Sequence, residues 1–386
     1  MGAATRWHTI VVAKQLMERP MKRNDLSRSL VAFEQNNTLV AVVELSLKSW
    51  LVAGLVPGLA REPLKKKSAD ENARIVVAFE AGRDGFWLAR WLRARGIETY
   101  VIHPTSVPVS REHRRAKSDR LDTALLMRAI LGWLRGEAKH CSMVAIPTLA
   151  QEDARRPNRE HEHLVGERTS IVSRLKAAMA RHGIRNFKLK LRKASEQIEK
   201  LRTPEGGVLP PNTLAELQRD IARLRLVRDQ IIQIEKQRLE RLRQAPQEGS
   251  HPMVLLLAKV LGIGIETADM LVHEVLSRNL RDERALGRYA GITGSPDESG
   301  SKRREKGLAR AGNARVRRGM IQLAWRWLMF QKQSALAKWF HARTASAPRD
   351  VRKTMIVALA RKLLIALWRY VTTGEVPAGA QLRPAM

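Results

Sequence analysis

The sequence predicts an α/β domain at the amino end, a charged helical middle and a mainly α-helical carboxyl-terminal part. Three observations carry this. Apolar, β-rich runs separated by turn residues lie between residues 38 and 104; apolar residues recur at three-to-four spacing among Arg and Glu from 214 to 242; long apolar helical runs joined through glycines follow residue 251. The expected boundaries are a basic extension over 1–37, the α/β domain over 38–150, a helical or coiled-coil connector over 151–250 and the terminal domain over 251–386.

The elements of the first domain follow in order. TLVAVVEL (38–45) and SWLVAGLV (49–56) flank a short SLK turn and read as a hairpin. After the charged linker REPLKKKSADEN, ARIVVAFE (73–80) reads as a strand covered on both faces. FWLARWLRARG is an amphipathic helix stopped at Gly96, and ETYVIHP (98–104) is a strand ended by Pro104, so strand, helix and strand form a βαβ unit with a parallel pair. Such sheets carry their chemistry at the carboxyl ends of the strands. Glu44 and Glu80 stand at the last or next-to-last position of two strands.

In the middle part, Leu214, Leu217, Ile221, Leu224, Ile231 and Leu242 mark a helical stripe, with Arg228 and Glu235 interrupting the heptad. A helical hairpin and a coiled coil both fit, serving either assembly or a basic face. Beyond it, VLGIGIETADMLVHEV places Gly262 and Gly264 between two apolar helical stretches, the form of a helix-hairpin-helix element. There the glycines would let backbone N–H groups approach a phosphate. A Gly/Ser loop then leads to Lys302, Arg303, Arg304, Lys306, Arg310, Arg315, Arg317 and Arg318, and to a helix starting near Asn313; so dense a cluster points to phosphate contacts. Trp325, Trp327, Trp339 and Trp368 fall on apolar helical runs and are expected in the core.

Composition narrows the function classes. The 386 residues hold 70 Lys+Arg against 38 Asp+Glu, a formal net charge of +32. That surplus fits a polyanion partner, because each neutralised phosphate releases condensed counterions. No apolar stretch approaches the roughly 20 residues that span a bilayer. The single cysteine, Cys141, excludes an internal disulfide framework and a cysteine-based zinc site, which suits a reducing cytoplasm. The first 37 residues lack a secretory apolar core and contain Glu18, Asp25 and Glu34; they are expected to be poorly ordered.

Two carboxylates need a reason in so basic a chain. In AKSDRLDTALLMRAIL, Asp119 and Asp122 open an apolar-periodic run and would share one helix face near its positive end. Capping would use Asp119 alone. Two strand-end glutamates and two aspartates on a later helix are the set that a two-metal phosphoryl-transfer site requires, with carboxylate oxygens suited to Mg²⁺ and Mn²⁺ as the other divalent candidate.

The chain resembles the insertion-sequence-110 transposase family, the DEDD-type recombinases related to the Piv DNA invertases. VAFEAGRDGFWLARWLRARGIETYVIHP is similar to the family's second-acid strand, Gly-aromatic helix and Pro-ended strand. RRAKSDRLDTALL is similar to its K-[ST]-D-xx-D-A helix, and LGIGIETADMLVHEV with YAGITGSPDESGSKRREKGLARAGNARVR to its carboxyl-terminal domain. The resemblance implies a RuvC-like, RNase H-type first domain in which Glu80, Asp119 and Asp122 are the second, third and fourth acids. It also implies a serine nucleophile, for which Ser299 matches and Ser295 and Ser301 are neighbours in the same segment. It further implies DNA as substrate, an element-encoded guide RNA, a homo-oligomer (dimer or tetramer) whose acids complete the site around another subunit's serine, and a place at the bacterial nucleoid. Two departures stand out: Glu44 lies where the family's first acid is an aspartate, and the stretch from Arg61 to Asn72 is short for the family. Two other readings remain: a metal-dependent nuclease with water as nucleophile, and an inactive, basic nucleic-acid-binding relic.

Overall fold

The structure is a computed structural model and describes residues 28–29, 31–45, 50–57, 74–82, 85–107, 119–137, 140–185, 187, 193–299, 302–308 and 311–383. By contact it forms two compact units. One holds the described residues up to Glu152 together with Asn279–Arg281; the other holds those of Asp153–Arg278 and Asp282–Met386. Residues 1–27 and Leu30 of the expected 1–37 extension, the SLK turn and the linker from Arg61 to Asn72 lie outside the described residues, whereas residues 28–29 and 31–37 of the extension are described.

The first unit is a four-stranded sheet in the order β2-β1-β3-β4, with β1 Thr38–Leu45, β2 Trp50–Leu55, β3 Arg74–Glu80 and β4 Glu98–Ile102. β1 and β2 are antiparallel, while β1 with β3 and β3 with β4 are parallel. Period-two alternation sorts the side chains between two cores. Val40, Val42, Val76, Ala78 and Ile102 pack on Leu126, Ala129, Ile130 and Trp133 of helix α2 (Asp119–Leu134). Val43, Phe79 and Val101 face Leu88 and Ala89 of helix α1 (Trp87–Arg93) on the other side. At the amino end of the strands the Arg74 guanidinium donates to both Glu98 carboxylate oxygens, at 2.7 and 2.8 Å, and to the Ala32 carbonyl at 3.1 Å. Phe33 packs beneath the sheet, so the chain before β1 is already tied to this unit.

A short helix α3 (Leu149–Asp153) closes the first unit. The second unit is mainly helical: α4 (Arg156–Arg181) is followed by the short α5 (Ala194–Glu199) and by α6 (Pro211–Gln244). Pairing of His182 with Thr213, Arg174 with Asp220, His161 with Glu235 and Asn158 with Arg238 runs in opposite directions along α4 and α6, so they form an antiparallel hairpin. Leu164, Ile171, Leu175, Leu217, Ile221, Leu224, Val227 and Ile231 fill the seam, closed at one end by Ala194 and Ile198. The stripe passes through Val227 and Ile234 rather than the Arg228 and Glu235 of a strict heptad, because a straight helix drifts relative to a 3.5-residue repeat.

Helices α7 (His251–Ala258), α8 (Ile265–Leu271), α9 (Glu283–Tyr289), α10 (Ala314–Phe330), α11 (Ala335–Thr344) and α12 (Arg349–Thr373) complete the unit. A π-helical turn, Val272–Leu276, continues α8. The expected Gly/Ser loop is instead a β-hairpin, β5 Gly294–Ser299 against β6 Lys302–Leu308. In register Asp297 opposes Arg304 and Glu298 opposes Arg303, an acidic run paired with a basic one that the sequence displays. Of the four tryptophans expected in the core, Trp327 is buried and Trp325 is 44% exposed. Two residues apart on a helix point in nearly opposite directions, so both could not face inward. Among the described residues no helix is long and apolar enough to cross a membrane.

Ile221 is wholly buried in the seam between α4 and α6. Ile221→Ala is expected to destabilise this unit by about 2–5 kcal/mol, through lost burial and the cavity left behind. Denaturant unfolding followed by helical circular dichroism measures it; a loss below ~1 kcal/mol would mean that the two helices do not pack as a stable pair.

Candidate active site and nucleic-acid interface

The parallel register of β1 and β3 carries the acids into proximity. The last paired residues are Val43 and Phe79, so Glu44 and Glu80 follow side by side at the carboxyl ends of neighbouring strands. Neighbouring strands run about 4.8 Å apart. Val42 and Ala78 belong to the core under α2, and Val43 and Phe79 to the opposite one, so alternation turns Glu44 and Glu80 to the α2 face.

Helix α2 starts toward the same edge of the sheet without bringing Asp122 into one cluster with Glu44 and Glu80. Near its end, Trp133 accepts from the Ser29 N–H at 2.9 Å, and Ala32 of the same segment accepts from Arg74 at the amino end of β3. The carboxyl end of α2 therefore lies at the amino ends of the strands. A 16-residue helix extends about 24 Å, so its first turn points to their carboxyl ends. Asp122 lies on the stripe that continues through Leu126, Ala129 and Trp133. Asp119 is the first residue of α2, and its side chain lies outside the described residues. Among the described residues no three acidic, His or Cys side chains are close enough to form a metal cage.

Oxygen-only donors at a strand edge and a helix start nevertheless suit a hard divalent cation. Mg²⁺ commonly keeps several waters and is held by one or two carboxylates plus substrate phosphate, so a closed protein cage is not its requirement.

In the helical unit, Ser299 is the last residue of β5 and pairs in register with Lys302. The side chains of Ser295, Ser299, Lys302, Arg303, Arg304 and Lys306, and all of Gly300, Ser301 and Arg310, lie outside the described residues. Two glycines pinch the base of this hairpin. Gly291 has φ +65° and Gly312 φ +87°; a Cβ on Gly291 would stand 2.2 Å from the Ala311 carbonyl oxygen, and one on Gly312 2.5 Å from those of Arg288 and Tyr289. Only glycine permits both the conformation and the approach. Their positive φ was legible only as two more glycines in a glycine-rich stretch.

Asn313 then starts α10. Its Oδ1 accepts from the Arg315 and Val316 N–H groups, and its Nδ2 donates to Glu274 at 2.9 Å. Glu274 is 1% exposed and also accepts from Arg159 of α4 at 3.0 Å. Beside it, Asp269 accepts from Asn158 at 2.8 Å and pairs with Arg238 at 3.0 Å, and Arg238 also pairs with Glu266. Of the arginines expected on phosphate, Arg317 donates to the Ala311 carbonyl, and Arg315 and Arg318 both pair with Glu162. In the turn between α7 and α8, Gly262 has φ +90°, and its added Cβ would meet the Phe330 Cβ at 3.0 Å; Gly264 precedes α8 with open space around it. Turn geometry and packing on Phe330 therefore already account for Gly262.

The buried carboxylates titrate abnormally. Burial pushes the Glu274 pKa up, but Arg159 and Asn313 outweigh it and hold the group below its ordinary value; for Asp269, burial is likewise outweighed, by His273, Arg238 and Asn158. A depressed folded pKa gives stability that is present above the unfolded value and is lost as pH falls through the folded one. The melting temperature is accordingly expected to fall as pH drops below 4.5, the ordinary glutamate value. Glu274→Gln should weaken that acid dependence and cost about 1–3 kcal/mol at neutral pH. Thermal melts across pH test this; an acid limb unchanged in Glu274→Gln would assign it to other carboxylates.

Comparison with known proteins adds the following. The family model for the Transposase IS116/IS110/IS902 family matches residues 254–341, and a DEDD model of the same insertion-sequence group, described as a transposase, matches residues 57–184. A putative transposase y4rJ of Sinorhizobium fredii is 39% identical over 370 residues, covering 88% of this chain and 93% of that protein. A transposase for insertion sequence element IS1328 of Yersinia enterocolitica is 24% identical over 306 residues, covering 78% and 85%. Glu80, Asp119 and Asp122 fall within the first matched span of the chain and Ser299 within the second, while Glu44 precedes both.

Proposed function

The chain belongs to the insertion-sequence-110 family of transposases, DNA-recombining enzymes of mobile elements, and from that premise we propose that Ser299 attacks a DNA phosphate while Glu44, Glu80, Asp119 and Asp122 hold the divalent metal that a DEDD domain implies. The observation that carries the acid half is the adjacent placement of Glu44 and Glu80 at parallel strand ends, with the first turn of α2 directed to the same edge. The donor set favours Mg²⁺, with Mn²⁺ able to replace it. A bound divalent cation would polarise the phosphate and stabilise developing oxyanions.

The residues divide the remaining work. The Ser299 hydroxyl forms an Oγ–phosphorus ester as one phosphodiester oxygen leaves with the cut strand; a carboxylate of the acid set takes its proton. Attack by the hydroxyl of a second strand reverses the sequence, releases Ser299 and reseals the backbone. One phosphoester bond is exchanged for another at each step, so no ATP is needed. The chain carries Ser299 and the acids in separate units, and assembly of subunits on DNA brings serine and acids together. The net charge of +32 serves DNA and an element-encoded guide RNA. Glu44 replaces an aspartate with a longer arm and is the weakest of the four ligands.

Labelled target DNA, guide RNA and Mg²⁺ are expected to give a denaturation-resistant protein–DNA adduct with the wild type and none with Ser299→Ala. Asp119→Asn/Asp122→Asn should lose cleavage while retaining DNA affinity. An adduct that survives Ser299→Ala but is lost in Ser295→Ala or Ser301→Ala would move the nucleophile. Cleavage unchanged in every serine variant would favour the water-using nuclease.

The segment from Lys302 to Arg318 contributes affinity without regard to sequence. Arg303→Gln/Arg304→Gln/Arg317→Gln is expected to weaken duplex binding and to reduce the salt slope by at most about 0.9 for each phosphate no longer neutralised. A slope equal to that of the wild type would make these residues a solvated surface.

A further inference from the structure

Two of the arginines in the basic segment are already occupied. Arg315 Nε donates to Glu162 Oε2 at 2.6 Å, and Arg318 Nη2 donates to Oε1 of the same carboxylate. The two arginines stand three residues apart on the first turns of α10, hence on one face, and Glu162 reaches them from α4. A carboxylate offers two oxygens to two guanidinium groups, as the two non-bridging oxygens of a phosphodiester would.

We infer that Glu162 is an internal stand-in for a DNA phosphate, which holds the Arg315–Arg318 pair closed in the free protein and yields it to the DNA backbone on binding. The inference rests on the nucleic-acid reading of this segment and adds a competitor to it.

Burial distinguishes this contact from the structural ones nearby. Glu274, 1% exposed and bound by Arg159 and Asn313, is part of the packed interior. The Glu162, Arg315 and Arg318 side chains are 36%, 31% and 60% exposed. Exposed ion pairs are weak in high-dielectric surroundings and exchange readily. DNA adds what an internal carboxylate cannot, the release of condensed counterions for each phosphate neutralised. The pair is therefore strong enough to lower the fraction of open sites, yet weak enough to be displaced. An apparent dissociation constant rises by the inverse of that open fraction, so removing Glu162 raises affinity.

The test uses the full chain and random-sequence duplex DNA, with binding read by fluorescence anisotropy across a salt series. Glu162→Gln keeps the side-chain size and removes the charge, and Glu162→Ala is the second variant, with thermal melts run on both. Each is expected to bind duplex DNA about three- to tenfold more tightly than wild type, with the salt slope unchanged, because the wild type neutralises the same phosphate once Glu162 has yielded. Adding Arg315→Gln/Arg318→Gln to Glu162→Gln should abolish the gain, because the freed arginines supply it. Binding equal to or weaker than wild type in both Glu162 variants overturns the inference. So does tightening that persists without the two arginines, or tightening on structured RNA with none on duplex DNA. If Arg303→Gln/Arg304→Gln/Arg317→Gln weakens DNA binding while the Glu162 variants bind as wild type, this inference fails alone and the DNA-binding reading of the segment stands.

Discussion

The Glu274 carboxylate sets the terms for the helical unit. A carboxylate almost wholly withdrawn from water is costly unless each of its oxygens is matched. Glu274 finds Arg159 on α4 and Asn313 at the start of α10, and it sits itself on the π-helical turn after α8. One group thereby ties together the antiparallel helical hairpin, the turn beyond α8 and the residue that ends the β5–β6 segment. The neighbouring cluster of Arg238, Asp269 and Asn158 repeats the arrangement, again joining α4 and α6 to α8. The first turns of α10, where Arg315 and Arg318 stand, are positioned by this buried chemistry together with the buried Val316 and Met320.

The sheet unit rests on a different constraint. Parallel pairing of β1 with β3 places the paired residues of one strand beside fixed partners on the other, and a slip of one residue in either strand would turn that strand's glutamate to the opposite face. The apolar alternation of Val40, Val42, Val76 and Ala78 against α2 prevents the slip, because each of these side chains is wholly buried. The register that packs the core is thus the same register that aligns Glu44 with Glu80.

Charge is used in two ways along the chain. Inside, the buried acids Asp220, Asp269 and Glu274 each have an arginine partner and join helices. Outside, the large cationic surplus is left for a polyanion, and Glu162 shows the two uses meeting on one surface, where an acid of the hairpin takes two arginines of the segment after Ser299. An exposed pair of this kind adds little stability and chiefly changes which guanidinium groups are available.

Much of the fold was legible from local pattern. Apolar, β-rich runs marked all four strands of the sheet, with bounds close to those observed; Pro104 marked the end of β4, Gly96 that of α1, and the three-to-four stripe marked α6. The acid motif and the basic segment were also visible as residue types at given spacings, because spacing along a strand or helix is a local property. What only tertiary structure decided is contact between distant segments. The adjacency of Glu44 and Glu80 depends on strand pairing, the direction of α2 on where Ser29 and Ala32 bond, and the close crossing of Gly291 and Gly312 on backbone from two segments touching. The occupation of Arg315 and Arg318 by Glu162 is of the same kind. More than 150 residues separate these groups in the chain, and no local periodicity encodes a meeting at that distance; the folded packing of α10 beside α4 does.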